Sequence, residues 1–268
     1  MRRDELTERF RDLHVPGNPL VMLNPWDIGS AKVMEQLGAK AIATTSSGYG
    51  FTQGLADGGQ ITREMALQHA AEICAAVKLP VNGDFENGFG DSPEIVAETV
   101  RLAADAGLAG VSIEDTVVPD TSAYPFDVAV ARIEAAVSAA RISGIMLTAR
   151  ADGWLHKSYD QKEALRRCEA FAEAGADVIY APAVDAETTR ALAKTGTPVN
   201  LLAAGKMRDL STAEIGELGA ARISIGGGLA RVTQQLILDG TRAMLDQGDF
   251  TILKGAASVA EVETLLTK

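Results

Sequence analysis

Residues 92–114 read SPEIVAETVRLAADAGLAGVSIE, and the stretch divides into a helix and a strand. Ser92–Ala106 is amphipathic, and Ser92-Pro93 puts proline in the first turn, where its missing N–H is no loss. Gly107-Leu108 stops the helix, because glycine just past the last turn accepts the left-handed conformation that closes it. Gly110–Glu114 then reads as a short β-strand. The same punctuation returns at Gly38-Ala39, Gly175-Ala176 and Gly219-Ala220. Strand candidates are Leu20–Leu23, Ala41–Thr45, Pro80–Asp84, Gly110–Glu114, Met146–Arg150, Asp177–Ala181, Pro198–Leu202 and Arg222–Ile225. Between them lie the helical stretches Thr62–Ala76, Val128–Ser143, Tyr159–Ala174 and Ser211–Leu218, with capping-box patterns at Ser158-x-x-Gln161 and Ser211-x-x-Glu214. Strands alternating with helices indicate parallel βαβ units. Eight such units in 268 residues have the count and size of an α/β, (β/α)8 TIM barrel. An open doubly wound sheet is the competing arrangement. No composition break divides the chain, so residues 1–268 read as one domain.

Composition narrows the function classes. Hydrophobic residues make up 47% and charged residues 23%, which excludes wholesale disorder. A net charge of −11 repels phosphate backbones, so no nucleic-acid partner is expected. No apolar run is long enough to span a membrane, and the N-terminal MRRDELTERF is too charged for a signal-peptide core. Cys74 and Cys168 stand far apart in helical stretches, which fits a reducing, cytoplasmic setting rather than a disulfide framework.

Side-chain parity places the chemistry. With period two, Val111 and Ile113 share one face of the fourth strand, and Ser112 and Glu114 share the other. In the fifth, Ile145, Leu147 and Ala149 oppose Met146, Thr148 and Arg150; in the eighth, Ile223 and Ile225 oppose Ser224. The apolar sets should face the helices. Glu114 and Arg150 then point into the barrel at its C-terminal rim, where barrel enzymes build their sites. The third strand runs into Asp84-Phe-Glu86-Asn-Gly88-Phe-Gly90, adding two more carboxylates. Asp84, Glu86 and Glu114 without a neighbouring lysine repel one another unless protons or a cation intervene, and all-oxygen ligands favour Mg²⁺, or Mn²⁺, over zinc. Arg150 can grip a substrate carboxylate. Thr44-Thr45-Ser46-Ser47-Gly48 offers hydroxyls and amides to an oxyanion. Asp27, Asp57 and Asn200 follow strand ends and read either as caps or as substrate contacts. No strand carries a lysine at its C-terminal end, so a Schiff-base aldolase is excluded; Walker, GxGxxG and G-x-S-x-G patterns are absent.

Taken in order, several segments resemble the isocitrate lyase/phosphoenolpyruvate mutase superfamily. They are Asn24-Pro-Trp-Asp27, Thr44-Thr-Ser-Ser47, Gly54-Leu-Ala-Asp57, Asp84-Phe-Glu86 with Gly88-Phe-Gly90, Ile113-Glu-Asp115, Ala149-Arg150-x-Asp152, Ala174-Gly-Ala-Asp177 and Pro198-Val-Asn200. The resemblance implies a barrel whose eighth helix is swapped between subunits, with the helical segment from about residue 227 to 268 packing on a partner in a homodimer or homotetramer. It implies Mg²⁺ near Asp84, Glu86 and Glu114, partly through water. It also implies a 2-oxo acid against Thr45, Ser46, Ser47 and Tyr49, with Asp27, Arg150 and Asn200 as further contacts. Asp57, Glu114 and Arg150 would be the catalytic set.

The chain departs from the lyase branch in one loop. Residues 116–127 carry no Lys, Cys or His where that branch has its acid cysteine, so isocitrate or methylisocitrate cleavage is not expected. The reading is therefore a Mg²⁺-dependent lyase or decarboxylase of a small 2-oxo dicarboxylate such as oxaloacetate, acting through an enolate. The alternatives are P–C chemistry on a phosphonopyruvate-like substrate, with Tyr124 and Thr121-Ser122 replacing the missing lysine, and a non-catalytic 2-oxo acid binder.

Overall fold

The computed structural model describes residues 2–267. Its strands are β1 (Leu20–Met22), β2 (Ile42–Ala43), β3 (Val81–Asp84), β4 (Gly110–Glu114), β5 (Met146–Arg150), β6 (Val178–Tyr180), β7 (Val199–Leu202) and β8 (Arg222–Ser224). All are parallel, in the order β1-β8-β7-β6-β5-β4-β3-β2. A parallel bridge between Leu23 and Ile42 joins the two ends of the sheet, with the Ala43 amide donating to the Leu23 carbonyl at 3.0 Å. The architecture is a (β/α)8 barrel, not an open sheet.

The helices are α1 (Arg3–Asp12), α2 (Ile28–Gln36), α3 (Ser46–Thr52), α4 (Arg63–Ala76), α5 (Pro93–Asp105), α6 (Phe126–Ser143), α7 (Gln161–Glu173), α8 (Ala186–Ala193), α9 (Thr212–Glu217), α10 (Gly228–Gln247) and α11 (Val259–Thr267). Gly38, Gly107, Gly175 and Gly219 all close their helices with φ between 90° and 97°. Ser211 makes the expected capping box with Glu214. At α7 the cap is Asp160, accepting from the Glu163 amide, rather than Ser158; the Ser158 hydroxyl instead donates to the Thr121 carbonyl and ties two loops together. The short helix α3 sits where only a serine-rich turn was expected.

Strand parity holds. Val111, Ile113, Leu147 and Ala149 pack under the helices with Val96, Ile133 and Phe171. On the inside, Leu20, Ala41, Ala109, Met146 and Val178 form an apolar floor closed from below by Phe10 of α1. Above it the interior turns polar, unlike the branched aliphatic layers common in such barrels. The Asn82 amide donates to the Ser112 hydroxyl at 2.9 Å. Arg222, 2% exposed, donates to Asn200 Oδ1 at 2.8 Å and to Thr148 Oγ1 at 3.2 Å. His14, just past α1, meets Arg222 Nη1 through Nε2 at 3.3 Å and the Phe10 carbonyl through Nδ1 at 2.7 Å. A carbonyl only accepts and a guanidinium only donates, so the proton of the neutral ring sits on Nδ1.

The last helices break the pattern. α10 leaves the barrel, and only Ala230 and Gly240 of its twenty residues are buried. Leu229, Val232, Leu236, Ile237 and Leu245 are exposed, as is Val21 on the outer face of β1. α11 lies against α2 of its own barrel, where Lys32 Nζ donates to the Leu266 carbonyl at 3.1 Å. The end of the segment expected to pack on a partner is thus folded back on its own chain.

Burial, followed by the neighbouring Arg222 charge, lowers the His14 pKa to about 3. The unfolded chain takes up this proton near its ordinary value of 6.5. His14 therefore stabilises the fold fully above pH 6.5, and that contribution is lost as pH falls toward 3. In urea titrations between pH 7 and 4, His14→Gln should flatten the pH dependence by up to about 1.4 kcal/mol per pH unit. Parallel profiles for the variant and the parent would contradict the assignment.

Candidate functional site

The C-terminal ends of the strands open into a cavity of about 270 Å³. Five carboxylates line it: Asp57, Asp84, Glu86, Glu114 and Asp152. Asp84, Glu114 and Arg150 each end a strand, as parity predicted. β3, β4 and β5 are adjacent, so their last side chains meet. Arg150 Nη1 donates to Asp84 Oδ1 at 2.8 Å, and Nη2 lies 3.0 Å from Glu114 Oε1. Nε and Nη2 also close on both oxygens of Asp152, at 3.0 and 2.7 Å. The fork expected to grip a substrate carboxylate is therefore engaged by Asp152. Burial opposes the charge on Arg150, but Asp152, Glu114 and Asp84 together hold its pKa well above the ordinary value.

The loops complete the wall. Thr45 caps α3 by accepting from the Gly48 amide, and the Ser46 amide and hydroxyl both donate to Asp84 Oδ2, at 3.0 and 2.9 Å. Ser46 thus fixes the acid rather than presenting its amide to a ligand. Ser47 lines the cavity and shares a hydrogen bond with Thr45 Oγ1. Glu86 follows β3 with φ 45°, a conformation uncommon for a residue with a side chain. Its Oε1 accepts from the Gly59 amide at 3.2 Å, whereas Oε2 is buried with no partner. Gly59 itself has φ 74°, and a Cβ there would sit 3.0 Å from Val118 Cβ; glycine is what lets the Asp57 loop lie against residues 118–119.

The acids strain against one another. Burial, then the nearby Asp84 and Asp57 charges, push Glu86 up to about 7 against the Gly59 hydrogen bond. Burial first, then Asp152, Asp84 and Glu86, raise Glu114 well above its usual range against the pull of Arg150. Burial and Asp84 raise Asp57. Among the described residues, no three His, Cys, Asp or Glu side chains stand close enough to cage an ion. The expected triad of Asp84, Glu86 and Glu114 faces one cavity without converging into a closed shell. An unpartnered buried carboxylate oxygen and an excess of acids nevertheless suit a hard divalent cation such as Mg²⁺, which takes one or two carboxylates and fills its shell with water.

A second tier holds the first. Asp115 accepts from the Asp152 amide at 2.7 Å through Oδ1, and from Tyr159 and Arg167 at 2.8 and 2.9 Å through Oδ2. Arg167 also donates to the Tyr124 carbonyl at 3.0 Å. The Tyr124 hydroxyl is committed to Asp91 and Asn87, and its ring lies under Arg132. It is buried and turned from the cavity, so it does not stand in for a loop lysine; only Val118 and Thr121 of that loop line the site.

Two expected contacts lie elsewhere. Asp27 is exposed and caps α2, accepting from the Ser30 amide at 2.6 Å. Tyr49 stacks on His69, ring centroids 4.0 Å apart, in a small recess behind Ser46. Asn200 does line the cavity, bonded to Arg222 and Ser224. Asp152, Arg222, Asn24 and His156 also line it and were not chosen from the sequence. Arg222 carried a usable signal, since it shares parity with the inward Ser224. His156 did not, because it lies in an irregular loop.

Comparison with known proteins agrees with this geometry. The profile of the Phosphoenolpyruvate phosphomutase family matches residues 10–245. The Mycobacterium tuberculosis (strain H37Rv) protein Rv1998c is 34% identical over 223 residues, 81% of each chain. A 2-methylisocitrate lyase of Bacillus subtilis is 30% identical over 208 residues, 75% of this chain and 67% of that one. A crystal structure from Burkholderia cenocepacia, named in general terms as a lyase/mutase, superposes with TM-score 0.93 at 41% identity, covering 99% of this chain and 97% of that one. A phosphonopyruvate hydrolase in complex with oxalate and Mg²⁺ shares the fold, with TM-score 0.82 at 22% identity over 99% and 95% of the two chains. With the barrel, the acidic strand ends and a profile match over most of its length, the chain belongs to the phosphoenolpyruvate phosphomutase family of the isocitrate lyase/phosphoenolpyruvate mutase superfamily.

Proposed function

We propose that the protein is a Mg²⁺-dependent lyase that decarboxylates a small 2-oxo dicarboxylate such as oxaloacetate. The observation that carries this reading is the group of five cavity carboxylates, one with a bare buried oxygen, below a loop that lacks Lys, Cys and His. Asp84, Glu86 and Glu114 would hold the ion, which supplies Lewis acidity to the 2-oxo group. Its presence with oxalate in the related phosphonopyruvate hydrolase supports that assignment.

The chain's own groups do the rest. Ser46 and Arg150 keep Asp84 in one rotamer, so the acid is in place before substrate arrives. Ser47 stands at the helix start, where a developing enolate oxygen can find a donor. Asp57 and Glu114 orient water within the cavity. In oxaloacetate the C3–C4 bond breaks, carbon dioxide departs, and the electron pair enters the enolate of pyruvate, which then takes a proton at C3. Carbon dioxide departs neutral and the C3 proton can come from water, whereas cleavage of a methylisocitrate to pyruvate and succinate leaves a succinate carbanion that the missing cysteine would protonate. The buried Tyr124 likewise weighs against P–C chemistry.

We further propose that two or four copies assemble through α10. Val21 on β1 is uncovered in the place where an eighth helix would lie, and α10 carries the matching apolar surface away from the barrel. Exposed apolar surface of that extent calls for a partner, and a second copy offers the same gap and the same helix.

Turnover of oxaloacetate should require Mg²⁺ and vanish on chelation, and Asp84→Ala should lower kcat on the order of 10²–10³-fold. Release of phosphate from phosphonopyruvate in place of carbon dioxide from oxaloacetate would overturn the reading, as would full activity of Asp84→Ala. By light scattering after gel filtration, the parent should run as a dimer or tetramer, and Leu236→Arg with Ile237→Arg should shift it toward monomer. A monomeric parent would refute the α10 assembly.

A further inference from the structure

The loop that follows β3 has an uncommon backbone. Glu86, Gly88 and Phe89 all lie in the left-handed region, with φ of 45°, 83° and 61°. Two of the three carry side chains, and such residues persist only where their surroundings over-determine them. The surroundings here come from α6. Arg132, 1% exposed, donates through Nη1 to the Gly90 and Asp91 carbonyls, at 2.6 and 2.5 Å, and through Nη2 to the Asn87 carbonyl. One planar guanidinium thus gathers three carbonyls of one loop, a span that a lysine ammonium cannot match. Its Cζ lies over the Tyr124 ring, 4.0 Å from the centroid, and the Tyr124 hydroxyl donates to Asp91 and accepts from Asn87.

What this clamp governs is Glu86. The Asp84 and Glu114 side chains are held by Arg150, and Asp84 by Ser46 as well. The Glu86 carboxylate has one hydrogen bond, from the Gly59 amide to Oε1, and its Oε2 is bare. Its direction is therefore set chiefly by its backbone. The Glu114 amide fixes the Glu86 carbonyl at 2.8 Å, and the next carbonyl along is the one that Arg132 takes from Asn87. Arg132 itself does not line the cavity, whereas Glu86 does.

Resting on the Mg²⁺ reading above, we infer that Arg132 is the positioning residue for Glu86: by clamping residues 87–91 it keeps this carboxylate on the cavity wall before the ion arrives. It touches neither ion nor substrate. Loss of the clamp lets the left-handed residues relax and turns Glu86 aside, so the ion loses one of its three acids while Asp84 and Glu114 stay in place.

The test is a double-mutant cycle read by ion binding rather than turnover. Mn²⁺ is titrated into the full-length parent, Arg132→Met, Glu86→Gln and the double variant, with free ion measured by electron paramagnetic resonance. Arg132→Met should weaken Mn²⁺ roughly 10-fold in the parent background. It should change nothing in the Glu86→Gln background, because the acid through which it acts is already gone. Equal weakening in both backgrounds would make Arg132 a structural support only and overturn the inference, as would unchanged affinity in Arg132→Met. Arg132→Lys should give a smaller loss of the same kind, and it decides by the same criteria where Arg132→Met does not fold. Should the parent bind no Mn²⁺, the functional reading loses its ion, and amide hydrogen exchange in the metal-free protein decides the role of Arg132 on its own. The Gly59 amide, bonded to Glu86, should then exchange about 10-fold faster in Arg132→Met, while the Ala109 amide, bonded to the Val81 carbonyl, keeps its rate. Unchanged Gly59 exchange, or equal acceleration at both amides, refutes the clamp.

Discussion

Arg150 is the charge on which the upper wall of the site depends. Three carboxylates from β3, β4 and the loop after β5 approach one guanidinium within 3.0 Å, in a place nearly closed to water. Removing any one acid leaves the others paired. Removing the arginine leaves three buried carboxylates facing each other, which would have to take up protons or move apart. The arrangement is itself held from behind. Asp115 fixes the Asp152 backbone, and Arg167 fixes Asp115 and the loop carrying Tyr124. Positions at the rim are thus set by two layers of ion pairs, of which the Asp115–Arg167 pair behind the site is the more buried.

Strand parity is the reason so much of this was legible in the sequence. A strand has only two faces, so Ile113 under a helix forces Glu114 into the barrel, and Ala149 does the same for Arg150. Parallel neighbours in register then bring those ends together without further information. The same logic reaches Arg222 through Ser224, but a charged residue beginning a short strand reads as a surface residue until the strand is known to be enclosed. Loops have no such constraint. Asp27 and Asp57 both follow strand ends, yet one finds a free helix amide within three residues and becomes a cap, whereas the other is carried over the cavity by Gly58 and Gly59. Tyr49 is turned away because α3 begins at Ser46 and rotates each following residue around the helix axis. Nothing in the local pattern announced that turn.

The barrel interior shows how function displaces packing. Aliphatic side chains fill the floor around Phe10 and stop there. From Asn82 and Ser112 upward most inward groups are polar, although Met22, Ala43 and Leu202 stand among them, and most are satisfied by one another. The exceptions are Asn82 Oδ1 and Glu86 Oε2, which have no partner, and the unbalanced charge of Arg222. Glu86 and Arg222 face the same cavity, one acidic and one basic. A fold selected for stability alone would have filled this space with branched side chains.

That polarity has a chemical direction. Under the proposed function, the acidic wall is where a divalent ion would sit, with the buried Arg222 deeper in the barrel. What distinguishes reactions within such a site must then lie above it, in the loops that meet the scissile end. Here the loops bring Val118, Thr121, Leu155 and His156 to the cavity, and the loop bearing Tyr124 spends its one phenol on Asp91 and Asn87. Under the proposed function, carbon dioxide would depart neutral and ask no acid of a loop that lacks Lys, Cys and His. On that reading the strand ends would select the acid, and the loops the bond.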